Sequence, residues 1–128
     1  MSYRFSKAEK ICSKYEIDAL FEKGKNLHSG SLRLKILGQE SQDWPHLKFL
    51  VVVPKRRVKK AVDRNRIKRQ LREVIRLNKK GIENEVAKSN KRLLIAVIYS
   101  GQPRSNYLQL QSSFIRLVNQ IPELINKI

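Results

Sequence analysis

The sequence predicts an α/β sandwich of the α+β class, built on a small mixed sheet, and three observations lead to it. Two segments, Leu47–Val53 and Leu93–Tyr99, are apolar almost throughout, as strands covered on both faces are. Two others, Ala61–Asn78 and the stretch from Tyr107 to Ile121, repeat apolar residues at helical spacing. The chain's 128 residues suit one domain, spanning 1–128, and 41% hydrophobic residues are enough to close one core.

Taken in order, residues 1–12 are mixed and are expected to lie over the surface. Ser13-Lys14-Tyr15-Glu16 matches a capping box, in which Ser13 and Glu16 satisfy each other's free N–H groups. Ile17, Leu20 and Phe21 follow at helical spacing and Gly24 supplies a stop, so a first helix of about ten residues is expected. Such a helix is marginal alone in water and must pack on something. A short strand is placed near Lys25 to His28. Leu32, Leu34 and Ile36 then alternate with Arg33 and Lys35, the period of a half-buried strand. Gly38 to Asp43 is polar and is assigned to a turn.

Leu47–Val53 has Lys48 as its only charge and ends at Pro54, and is placed in the middle of the sheet. In the helix that follows, Ile67, Leu71, Val74 and Ile75 make one apolar stripe, and Lys79-Lys80-Gly81 gives basic terminal residues and a glycine stop. A polar linker to Lys91 leads to Leu93–Tyr99, a second central strand. Strands joined through a helix should pair in parallel. Tyr107, Leu110, Phe114, Leu117, Val118 and Ile121 form the apolar face of a last helix, which Pro122 breaks or kinks. Three helices are therefore expected.

Charge is the strongest functional signal. The chain carries a formal +17 and a pI near 10.4. Residues 55–80 hold thirteen of its twenty-eight basic residues against two acids, Asp63 and Glu73. That imbalance points to a polyanion, and the Arg64-Asn65-Arg66 surroundings suggest structured RNA. Around the helix, Asn65, Lys68, Arg69, Arg72 and Arg76 fall on the side away from Leu71 and Val74, a ridge roughly 16 Å long at about 1.5 Å per residue. Arginine's planar fork pairs with phosphate oxygens where lysine cannot. Arg66 lies off the ridge and Arg64 nearer its apolar edge, which leaves them for other partners. Lys55, Arg56, Arg57, Lys59 and Lys60 lead into the helix N-terminus, where backbone N–H groups favour phosphate. Alone, such a run also resembles nuclear-localisation or heparin-type patches.

Arg33 and Lys35 share one strand face, and Tyr15, Ile17 and Phe21 lie on the first helix. An aromatic-walled cleft with a basic floor can hold a single strand, although spacing alone fits Phe21 and Ile17 better as core. Other chemistry is sparsely represented. His28 and His46 fall in expected loops without metal-ligand spacing, and no P-loop, dinucleotide fingerprint or nucleophile elbow occurs. The acids are scattered, so neither a catalytic residue nor a metal site is expected in the protein. Cys12, the single cysteine, excludes an internal disulfide and is read as a small apolar residue. With no signal peptide and no membrane-spanning apolar run, a cytoplasmic protein is expected.

The run Ala61-Val62-Asp63-Arg64-Asn65-Arg66-Ile67-Lys68-Arg69-Gln70-Leu71-Arg72-Glu73 resembles the signature helix of the protein subunit of bacterial ribonuclease P. Asp18-Ala19-Leu20-Phe21-Glu22-Lys23-Gly24, Val51-Val52-Val53-Pro54-Lys55-Arg56 and the late apolar strand agree in order and spacing, so the resemblance covers Lys7 to Ile121. It implies a fold similar to a ribosomal-protein domain, with a left-handed β-α-β crossover against the usual right-handed rule. It also implies a catalytic RNA partner, a precursor tRNA substrate whose 5′ leader is removed, and Mg2+ held mainly by RNA and substrate. Neither an obligate protein partner nor a membrane is implied. The carry-over assigns Arg64, Asn65, Arg66, Lys68, Arg69 and Arg72 to RNA contact and Phe21 to a leader-binding cleft with Ile17, Arg33 and Lys35. Ile17 and Lys35 depart from the aromatic pattern of some members. A ribosomal or ribosome-assembly RNA-binding protein of similar fold is the alternative, and a metal-dependent nuclease acting alone is a weaker third.

Overall fold

The structure is a computed structural model that describes residues 9–40 and 45–125. The first helix, α1, spans Lys14–Lys23. Ser13 caps it, its hydroxyl accepting the Glu16 N–H at 3.4 Å. The other half of the capping box does not form, because the Glu16 carboxylate binds Lys48 instead. Strands β1 (Lys25–Ser29) and β2 (Leu32–Glu40) pair antiparallel through a two-residue turn. Gly30 in that turn has φ +56°, and a Cβ there would come within 2.5 Å of Ser113 Oγ, so both torsion and space require glycine.

The remaining elements are β3 (Leu47–Val52), α2 (Ala61–Asn78), α3 (Lys80–Lys88), β4 (Lys91–Tyr99), α4 (Tyr107–Val118) and α5 (Ile121–Ile125). The sheet order is β1-β2-β4-β3. Strand β4 runs antiparallel to β2, from Leu32↔Tyr99 to Glu40↔Lys91, and parallel to β3, from Leu47↔Leu93 to Val52↔Ile98. The parallel pair forms as the intervening helix requires.

Both faces of the sheet are covered. Leu34, Ile36, Phe49, Ile95 and Val97 pack with Ile67, Leu71, Val74 and Ile75 of α2 and with residues of α3, α4 and α5. On the opposite face, Leu94 and Ala96 meet Ile11 and Leu20, with Ile17, Leu37, Leu50 and Ile98 half-buried around them. Leu20 is the only fully buried residue of α1.

Several expectations are corrected. Strand β3 lies at a sheet edge among the described strands, not in the middle: its second face is covered by α1's side of the molecule, while its outer edge meets a bridge from Lys10 and a hydrogen bond from Ile11 N–H to Phe49 O at 2.9 Å. Glu9 and Ile11 are buried and not superficial. Strand β2 continues through Gly38–Glu40, because the nine-residue β4 offers partners to its end; the expected turn's remaining residues, 41–43, lie outside the described residues. The linker after α2 is helical. Ile82 and Val86 are one helical turn apart and both buried, and Gly81 lies inside α3, not at the end of α2. The last helix ends at Val118, and Ile121–Ile125 resumes as a separate turn of helix with Pro122 second, where a missing N–H costs nothing. Five helices thus stand among the described residues where three were expected. His28 lies in β1, and Cys12 is exposed.

Candidate nucleic-acid interface

Helix α2 positions the ridge by burying its opposite stripe. With Ile67, Leu71, Val74 and Ile75 held in the core, Asn65, Arg69 and Arg72 must face solvent, and all three are exposed. They line a shallow groove with Arg76, Glu73 and Lys10. Lys68 is half-buried and lies outside that lining. Glu73 is the acid within the groove. Arg76 donates to it through Nε at 3.1 Å and through Nη2, and this forked bond holds the Glu73 carboxyl below the usual carboxylate range. The reciprocal bond raises the Arg76 guanidinium. Lys10 is a groove residue that sequence reasoning missed, since nothing in the chain shows the N-terminal segment returning to α2.

Arg64 and Arg66 behave differently. The Arg64 guanidinium donates to Val58 O at 2.9 Å and Lys59 O at 2.7 Å, which fastens the basic loop to the helix it precedes. Arg66 donates to Pro103 O at 3.2 Å and lies 3.8 Å from Asp63. Both therefore spend donors on the protein's own backbone. In the loop, Val58 is fully buried while Lys55, Arg56, Arg57, Lys59 and Lys60 are exposed. One apolar peg thus holds five cations outward. Lys60, the N-cap residue of α2, makes no side-chain capping bond.

The second surface forms between α1 and the sheet. Arg33, Lys35, Leu50 and Ile98 occupy the sheet face on which α1 sits, since each alternates with a residue buried in the main core. Phe21 is 38% exposed and Tyr15 80%, while Ile17 is half-buried against Leu20's cluster. Lys35 donates to Phe21 O at 2.9 Å and lies 5.6 Å from the Phe21 ring centroid, so one ammonium serves an orphan carbonyl in the last turn of α1 and a ring face together. Lys48 pairs with Glu16 at 2.8 Å and latches α1 to β3. Its signal was visible as the one charge in an apolar strand. Arg33 lines a pocket with Arg56 and Arg57 beside Ile98 and Ser100 at the sheet end. The basic loop consequently bridges the two surfaces.

Among the described residues, no group of three or more His, Cys, Asp or Glu side chains could hold a metal ion, and no helix is long and apolar enough to cross a membrane.

Similar proteins share this fold. Two solved structures share the fold: the ribonuclease P protein of Staphylococcus aureus, with a TM-score of 0.66 at 23% identity over 90% of this chain and 95% of that one, and that of Thermotoga maritima, with 0.64 at 21% over 88% and 96%. The ribonuclease P protein component of Porphyromonas gingivalis is 32% identical over 126 residues, 94% of this chain and 91% of its own length. That of Desulfosudis oleivorans is 31% identical over 83 residues, 65% of each chain. Residues 5–122 match the Ribonuclease P family, and the chain belongs to it.

Proposed function

We propose that this chain is the protein subunit of a ribonucleoprotein ribonuclease P, which removes the 5′ leader of precursor tRNA in the cytoplasm. The observation that carries the proposal is the outward row of Asn65, Arg69, Arg72 and Arg76 on a helix whose inner stripe is fully buried. Neighbouring cations one turn apart repel each other, and phosphates relieve that cost. The ridge and its approach loop bind the catalytic RNA. The cleft of Phe21, Ile17 and Lys35, continued by Arg33, Arg56 and Arg57, holds the leader. With Ile17 and Lys35 where some members have aromatics, leader contacts rest more on charge than on stacking and select bases weakly.

The reaction is phosphodiester hydrolysis with its centre in the RNA. Mg2+ is held mainly by RNA and substrate in this proposal. The chain contributes affinity and position: each neutralised phosphate releases counterions, and a leader fixed on the protein brings the scissile bond to the RNA with less entropy lost.

The decisive experiment is reconstitution. Added to a ribonuclease P RNA at low magnesium, the protein is expected to restore 5′ trimming of precursor tRNA. RNA binding without restored trimming would favour a ribosomal or assembly role, and trimming by the protein alone would favour an independent nuclease.

A further inference from the structure

Beside the Arg69 ridge, the first turn of α2 and the loop between β4 and α4 line a second groove of about 880 Å³. That volume is at the large end of the range ligand pockets occupy. Arg57, Lys59, Lys60 and Arg66 line it from the loop and helix, Arg104 faces them from the β4–α4 loop, and Asp63 is the acid among the lining residues. Val62 sits in the same groove with 78% of its surface exposed, an apolar side chain presented to solvent amid cations.

The groove's far wall is fastened in place. Arg66 Nη2 donates to Pro103 O at 3.2 Å, the Ser105 hydroxyl donates to Gln70 Oε1, and the Tyr99 hydroxyl donates to Gln102 O. Gly101 permits the tight path, since a Cβ there would lie 2.7 Å from the Tyr99 hydroxyl and 2.8 Å from Ser31 Cβ. Gly101, Gln102, Pro103 and Ser105 thus fix a loop that otherwise buries little. Arg104, between them, is exposed and turned to the groove. Arg66 Nε is buried there without a hydrogen-bond partner. Residues 62 and 66 lie roughly 60–100° around the helix from Asn65, so ridge and groove are adjoining parts of one basic surface wrapping α2.

We propose that the β4–α4 loop is a second arm of the RNA interface: Arg104 contacts the phosphate backbone of the folded catalytic RNA across the groove from Lys60, and Arg66 is a positioning residue that holds that arm at its working distance. This rests on the proposed ribonuclease P role and names a contact beyond the signature helix. A protein partner fits poorly, because five cations against one carboxylate would have to be desolvated together, whereas a phosphate chain neutralises them in series.

The test is a titration of ribonuclease P RNA with the full chain at several salt concentrations. Arg104→Glu is expected to weaken binding about tenfold or more and to reduce the salt slope by about one contact. In an Arg66→Ala background, the same substitution should cost at least threefold less, because the arm is already displaced. Circular dichroism and Tm check that each variant is folded, and Arg104→Ala, a smaller change, should give the same direction. Should wild-type protein bind tightly while Arg104→Glu and Arg104→Ala match it in affinity and slope, the arm is refuted and the signature-helix interface stands. Equal costs of Arg104→Glu in both backgrounds would remove the positioning role of Arg66. Failure of the wild-type protein to bind the RNA would sink both proposals together.

Discussion

Glu73 sets the charge of the ridge. Its carboxyl is held below the ordinary range by the forked bond from Arg76, so it stays ionised at neutral pH. A depressed carboxyl contributes stability above its unfolded value and loses it as pH falls through the folded one; in the free protein the carboxylate is therefore charged near neutrality. Glu73→Gln frees Arg76 for phosphate. RNA affinity should rise by about two- to fivefold, with a salt slope steeper by about one contact, in filter-binding titrations. The opposite change, Arg69→Glu with Arg72→Glu, should weaken binding by roughly two orders of magnitude and leave the Tm nearly unchanged, because both side chains point away from the core. Unaltered affinity in a gel-shift titration would contradict the ridge. That these two arginines face outward was legible from the wheel alone. The use of Arg64 and Arg66 as internal ties was not, because the carbonyls they bind belong to segments whose approach no spacing reveals.

At the level of elements, α1 is the weakly held piece. Leu20 is its single fully buried residue, supplemented by the Lys48–Glu16 pair and the Lys35–Phe21 O bond. Leu20→Ala should cost about 2–5 kcal/mol in urea unfolding. It should also weaken leader-dependent substrate affinity while leaving catalytic-RNA binding nearly intact, since α2 packs on the opposite face. Equal loss of both affinities would argue against two separate surfaces. The main helices, the parallel pairing and the central place of β4 could be read directly, since each shows a long and unambiguous apolar pattern. Helix α3 escaped because only Ile82 and Val86 carry its pattern, and Gly81 resembled a terminus. Strand β3 was taken for a central strand because burial on both faces and pairing on both edges leave the same apolar run. Gly38 and its polar neighbours looked like a turn, yet they follow β2 outward because β4 is long enough to pair with them.

Across the whole molecule, the +17 charge dominates behaviour in solution. Self-repulsion lowers the stability of the free fold, and anions that bind the folded surface should restore it. Sulfate or phosphate is expected to raise the Tm by several degrees more than sodium chloride at equal ionic strength. Identical shifts would show that general screening suffices and that no anion site is preformed. RNA binding should fall steeply with salt, log K dropping by about 0.7–0.9 per phosphate contact per log unit. A flat profile would contradict the electrostatic interface at every level.

The parallel crossover has one further consequence, for biosynthesis. Strand β3 takes its ladder partner from β4, and α2 and α3 separate the two in sequence. A nascent chain therefore presents its arginine-rich helix before the strand that completes the sheet has left the ribosome. Long-range closure of this kind is slow. During that interval an RNA partner that neutralises the helix would speed maturation, making the partner a folding aid as well as a target.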